Sequence, residues 1–298
     1  MSQGKNVQMF LMDGEVTGRM KCTLANWTGL AFKIPRAHLD KCKNRSDLKQ
    51  SGVYFLFGKN EANEDEVYIG QAGTRKNGEG ILFRVAEHLN DKDYFNEAVM
   101  LTTQNDSFGP TEISYLENKF ANLALETDRY HVRNNNDPNP GHVTEEKESE
   151  LEEFVEYSKI VLGVLGYKVF VPLGESQEPS TPERSTDELR LFLTSTDRSS
   201  HQKIEAQCLR TSEGFVLLKG SKIRPDAVTS APAGIKELRK ECMNSGAIQD
   251  GVLTKNQLFT SPSYAASFVL GASVNGRDKW KTADGKTLND VELDDMKE

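Results

Sequence analysis

The sequence predicts an α+β chain: a small antiparallel sheet flanked by helices, preceded by a β-rich extension and followed by a separate α+β domain. Three observations predict it. Hairpin-like segments rich in β-branched and aromatic residues fill much of the stretch up to Gly70. Two long helical patterns follow, one opened by Pro110 and one closed by Gly166. Gly174–Thr186, with no apolar residue and two prolines, then separates the last part of the chain. The expected layout is a basic N-terminal extension over residues 1–49, a main domain over 50–173, a linker over 174–187 and a C-terminal domain over 188–298.

The elements follow in order. Val7–Met12 leads into Asp13-Gly14, a hairpin signal, and Gly18–Thr23 returns. Leu30–Ile34 reads as a third strand closed by Pro35, with a short helix over Pro35–Cys42. Gly52–Phe57 and Glu66–Gly70 flank a polar loop and form a second hairpin. After a Gly-rich loop over residues 71–80, residues 81–90 read as a helix. The next helix runs from Pro110 to Thr127, Tyr130–Arg133 is a short strand, and a helix spans Glu145–Leu165 before a strand at Tyr167–Val171. Beyond the linker lie a hairpin over Cys208–Lys219, helices over Ala233–Ser245 and Ser261–Leu270, and an Asp284-Gly285 turn.

Composition narrows the function classes. Of the 298 residues 37% are apolar and 28% charged, polar for a globular protein yet able to build cores. No apolar run approaches the roughly 20 residues of a spanning helix. The N-terminus carries no signal-peptide pattern, and the four cysteines are scattered without a C-x-x-C pair. A cytoplasmic protein with free thiols and no membrane partner is expected. The net charge of −8 is uneven. Residues 1–50 hold nine basic and four acidic residues, while residues 51–172 hold 11 and 22. A local basic patch, with Lys33, Arg36, Lys41, Lys43, Arg45 and Lys49, is able to hold phosphates on an acidic chain.

One constellation carries chemistry. Placed at 100° steps, Ile81, Leu82, Val85 and Leu89 share an apolar arc, and Arg84 and His88 lie together just beyond its edge. On the Pro110 helix, Ile113, Leu116, Phe120, Leu123 and Ala124 define the apolar face. Glu117 falls beside Ala124, where a carboxylate is costly unless a cation or donors meet it. Each feature has a plainer reading: exposed polar residues, sheet-packing tyrosines, a structural ion pair.

Gly52-Val53-Tyr54 and Tyr68-Ile69-Gly70, followed by Arg84 with His88, Glu117 and the asparagines at 134–136, resemble the GIY-YIG nuclease family over residues 50–172. The resemblance implies two tripeptides side by side on a small antiparallel sheet, with Arg84, Glu117 and an asparagine supplied from later elements. It implies metal-dependent hydrolysis of phosphodiester bonds in DNA, in restriction, defence or repair. Glu117 would hold one divalent ion, Mg²⁺ or Mn²⁺, consistent with the preference of Mg²⁺ for oxygen and water ligands. Arg84 would hold phosphate oxygens, Tyr54 or Tyr68 would orient or deprotonate the water, and His88 would help position water or phosphate. A basic tyrosine needs its pKa lowered, by Arg84, the metal or a lysine such as Lys76. Asn134 is favoured among the asparagines because it directly follows the strand-like Tyr130–Arg133. Gly70, Gln71 and Lys76 are expected to touch substrate. The 13 residues between Tyr54 and Tyr68 and the insert Gly73–Gly80 depart from compact family members.

The last domain, with Glu213–Lys222 and Asn275–Lys281, is similar to an uncharacterised domain family that accompanies GIY-YIG domains and restriction-modification proteins. Lys279 and Lys281 around Trp280 are expected to grip a nucleic-acid backbone and stack a base; a protein partner is the other expectation for this domain. A non-catalytic nucleic-acid-binding or assembly protein that keeps the fold is the alternative to a nuclease. No G-x-S-x-G or P-loop pattern supports another hydrolase class.

Overall fold

The computed structural model describes residues 4–61, 63–134, 141–174, 189–197 and 201–295. The expected linker falls almost wholly outside them, as do Asn135 and Asn136. The chain divides into two units, Met1–Pro172 and Leu173–Glu298.

The first unit is built on one sheet. Its strands are β1 (Val7–Leu11), β2 (Met20–Leu24), β3 (Gly29–Pro35), β4 (Gly52–Lys59), β5 (Asp65–Ala72), β6 (Phe95–Thr103) and β7 (His131–Val132). Among the described residues their order is β1-β2-β3-β6-β4-β5-β7. All pairings are antiparallel except β5 with β7. The helices are α1 (Ile81–Glu87), α2 (Pro110–Thr127) and α3 (Glu145–Val164). Pro110 sits in the first turn of α2, where its missing N–H is no loss. Thr144 caps α3, and Glu145, Glu146 and Glu148 occupy its first turn, the end that favours negative charge.

Strand alternation sorts β4 and β5 onto two cores. Val53, Phe55, Phe57, Val67 and Ile69 lie under α2 and α3, in a core with Phe120, Phe154 and Phe170. Tyr54 and Leu56 face the other way, into a core with Phe32, Ile34, Leu48, Ile81, Val85 and Phe95, with Tyr68 packed against it. Tyr54 and Tyr68 therefore sit on the face of the strand pair turned away from α2, whereas Gln71 alternates onto the face that α2 covers.

Several expectations are revised. Residues 91–109, whose sequence shows no regular alternation, contain β6, which lies between β3 and β4. Through it residues 1–49 become part of the same sheet: β3 pairs with β6 from Gly29↔Thr103 to Pro35↔Glu97. The helix expected over 81–90 ends at Glu87. Tyr167–Val171 is a turn rather than a strand, since Val171 N–H bonds Lys168 O at 3.0 Å and Tyr167 stacks on Phe57 with centroids 3.8 Å apart.

The second unit contains β8 (Leu189–Thr196), β9 (Lys203–Thr211), β10 (Gly214–Leu217), α4 (Ala233–Asn244), β11 (Ile248–Gln249), β12 (Val252–Leu253), β13 (Gln257–Phe259), α5 (Pro262–Leu270), α6 (Gly276–Lys279) and α7 (Leu288–Asp295). The order β13-β10-β9-β8 forms an antiparallel sheet, and β11 pairs with β12. The core gathers Leu191, Cys208, Ile235, Phe268, Trp280 and Leu288. No helix among the described residues is long and apolar enough to cross a membrane.

Candidate active site

Tyr54 on β4 pairs directly with Gly70 on β5, and Leu56 pairs with Tyr68. Cross-strand partners share a face, so Gly70 lies beside the Tyr54 ring. A Cβ at position 70 would stand 2.4 Å from the Tyr54 hydroxyl oxygen. Glycine there is a requirement of space, and this is the part Gly70 plays. The Tyr54 and Tyr68 ring centroids are 6.3 Å apart.

His88 completes this aromatic group. It is the residue at which α1 ends, and only 3% of it is exposed. Its Nε2 lies 2.8 Å from Tyr54 Oη, and its Nδ1 lies 3.1 Å from Asp91 Oδ1. The proton positions follow from these contacts. Burial of Asp91 is outweighed by its hydrogen bond to His88 and the nearby Lys92, which hold its carboxyl below the usual range. Ionised Asp91 accepts only, so Nδ1 carries the proton. Burial lowers the His88 pKa below its ordinary value against the pull of Asp91, so the ring is neutral near pH 7. Nε2 then accepts the Tyr54 hydroxyl proton, and Asp91, His88 and Tyr54 form a hydrogen-bonded chain.

Arg84 projects from α1 with 42% of its side chain exposed. Glu87 holds its Nη1 at 2.9 Å and in turn accepts from Arg75 at 2.9 and 3.0 Å. Arg84 is close enough to both tyrosines to pull their pKa values down, although burial pushes both upward overall. Glu117, the eighth residue of α2 and half-buried, accepts from Gln71 Nε2 at 2.9 Å, and Gln71 also donates to Ser114 Oγ at 3.1 Å. Burial pushes the Glu117 carboxyl up; the Gln71 amide groups and Arg84 pull it back. Glu117 also raises both tyrosines, which puts its charge within reach of them. Tyr54, Tyr68 and His88 therefore pack against one another, and the charges of Arg84 and Glu117 act on both tyrosines.

Glu117 is the residue that would hold a cation. A carboxylate whose ionisation is opposed by burial gains most from a nearby positive charge. Among the described residues there is no cluster of three or more metal-ligating side chains. Glu117 would hold the ion with water in the remaining positions, as Mg²⁺ tolerates.

Other expected site residues stand elsewhere. Asn134 directs both polar atoms at one residue: its Oδ1 accepts from Ile69 N–H at 3.1 Å and its Nδ2 donates to Ile69 O at 2.8 Å. It ties the chain after β7 to β5 between Tyr68 and Gly70. Lys76 lies exposed in the loop before α1. The lysine at the tyrosines is Lys92, whose Nζ stands 4.3 Å from the Tyr68 ring centroid. Trp280 is fully buried and donates from Nε1 to Pro262 O at 3.0 Å, so its ring is closed to a base. Lys279 and Lys281 are exposed on either side of it.

Two groups escaped the sequence reading. Asp91 and Lys92 lie between α1 and β6, in a segment with no periodic signal. Arg36 fixes that segment from the N-terminal region, donating to Lys92 O at 2.5 Å and Leu89 O at 3.0 Å while its guanidinium stacks 4.3 Å from the Phe95 centroid.

Residues 197–292 match a family described as a domain of unknown function, DUF4357. The match lies within the second unit, so the reading of the first rests on its own residues. No curated protein and no solved structure matches the chain.

Proposed function

We propose that the first unit is a metal-dependent endonuclease of GIY-YIG type that hydrolyses phosphodiester bonds in DNA. The observation that carries this reading is the packing of Tyr54 and Tyr68 of one strand pair against His88, whose Nε2 lies 2.8 Å from Tyr54 Oη. Attack on phosphorus needs an activated water and compensation of charge on the phosphoryl oxygens. In this reading Tyr54 takes the water's proton. Its own proton passes to His88 Nε2, and Asp91 steadies the imidazolium that results. The upward-shifted pKa of Tyr54 speaks against a standing tyrosinate and for this concerted relay. Arg84, held on one side by Glu87, offers its remaining donors to the phosphate. A divalent ion on Glu117, when bound, supplies Lewis-acid stabilisation of the phosphoryl oxygens. Gln71 fixes the Glu117 carboxylate in position.

The test is cleavage of supercoiled plasmid with and without Mg²⁺, by the parent chain and by Glu117→Gln. The parent should nick or linearise DNA only with the ion. Glu117→Gln keeps the size and loses the charge, and should be inactive while still folded and still binding DNA. A parent that binds DNA but never cuts it would favour the non-catalytic binding role.

A further inference from the structure

We propose that Lys92 and Arg133 form a backbone grip beside the reaction centre, holding phosphodiesters of the bound DNA next to the one that is cut. The proposal rests on the endonuclease reading above.

Each cation is mounted on an aromatic ring. Lys92 Nζ lies 4.3 Å from the centroid of Tyr68, and Arg133 Cζ lies 4.7 Å from the centroid of Tyr94. The second mount has an unusual support. Glu66 is 0% exposed, and its Oε2 accepts from Arg133 Nε at 2.7 Å. Its Oε1 has no hydrogen-bond partner among the described residues. A carboxylate so deeply buried is costly unless it does something for its partner. It uses one edge of the guanidinium and leaves the rest. The Nη groups of Arg133 make no hydrogen bond among the described residues, and 41% of its side chain is exposed. A planar fork oriented by a buried anion and a ring face, with two donor groups left over, suits a phosphate.

The placement ties the grip to the centre. Glu66 and Tyr68 lie two residues apart on β5, hence on the same face and about 7 Å apart along the strand. That is the face of Tyr54. Lys92 is tied only loosely, its Nζ 3.8 Å from Asp91 Oδ2. Arg84, Lys92 and Arg133 thus supply three cations on the tyrosine face of an otherwise acidic unit.

The experiment is fluorescence anisotropy of a labelled duplex oligonucleotide in EDTA, across a KCl series, with the parent, Lys92→Gln, Arg133→Gln, their double, and Lys59→Gln as control. Lys59, next to the Gly58 that pairs with Glu66, alternates onto the opposite face of the same hairpin and is paired with Asp65 at 2.8 Å. Each of the two grip substitutions should weaken binding and reduce the slope of log K against log salt by about 0.9, and the double by about twice that. Lys59→Gln should leave the slope unchanged. Where Arg133→Gln melts lower because Glu66 loses its partner, Glu66→Gln with Arg133→Gln, neutral on both sides, replaces it. Parent affinity and slope in these variants, from a parent that cuts DNA, would overturn the grip and leave the endonuclease reading standing. A parent that neither binds nor cuts DNA would overturn both.

Discussion

Residues 1–49 and residues 173–298 both flank the hairpin that carries Tyr54 and Tyr68, and they relate to the first unit in opposite ways. The N-terminal segment gives β3 to the middle of the sheet, paired with β6 over seven residues. It also gives Leu30, Phe32, Ile34, Leu39, Cys42 and Leu48 to the core on the tyrosine face. The C-terminal segment closes its own sheet and its own core around Trp280. Composition pointed the other way, since the N-terminal segment stands out by its positive charge. Much of that charge is used internally. Arg19 binds Asp13, Lys21 and Arg45 reach Asp47, Lys33 reaches Glu97, and Arg36 holds main-chain carbonyls. What makes a segment integral is the strand edge and the apolar surface it covers.

The largest effect that could break this comparison comes from truncation. A fragment of residues 50–172 would leave the β3-facing edge of β6 unpaired and remove six of the fifteen buried residues of one core. It should show no cooperative thermal transition, whereas residues 1–172 should melt cooperatively with native near-ultraviolet circular dichroism. Equal melting of the two fragments would make the N-terminal segment an accessory. A smaller effect sharpens the other side. Trp280→Ala should cost the second unit about 3–5 kcal/mol, the scale of deleting a buried aromatic side chain. In calorimetry of the full chain, the transition of the first unit should stay in place. If Trp280→Ala instead weakens DNA binding with no loss of stability, the ring serves a ligand after all.

Where the sequence was legible, local signals and tertiary packing agreed. The 52–72 hairpin pairs two runs rich in aromatic and β-branched residues across a polar loop; α2 and α3 carry a proline start and a threonine cap. Glu117 was visible because a carboxylate at the margin of an apolar helix face asks for a partner, and the structure supplies Gln71 and Arg84. β6 was missed because Asn96 and Glu97 break its alternation and Ala98–Leu101 then runs apolar without period, as a strand buried on both faces does. His88 was read on a helical wheel, but α1 stops before it, and the turned chain buries it against Tyr54. Asn134 stands out through the family resemblance and its place after Tyr130–Arg133, but its bonds to the main chain of Ile69, 65 residues away, are not legible in the sequence. Trp280 between two lysines looked like a stacking platform; only packing shows that the chain buries the ring and exposes the lysines.

The central claim is that the group around Tyr54 and Tyr68 acts on a phosphodiester. Its most direct test is the single-turnover rate of Mg²⁺-dependent DNA cleavage by the parent and by Arg84→Lys, with both shown to be folded and saturated. Lysine keeps the charge and loses the planar fork. The account predicts cleavage by the parent and a loss of at least about 100-fold in the variant, the scale for removing one transition-state donor. A variant that cuts at the parent rate would make Arg84 an ordinary partner of Glu87 and contradict the account.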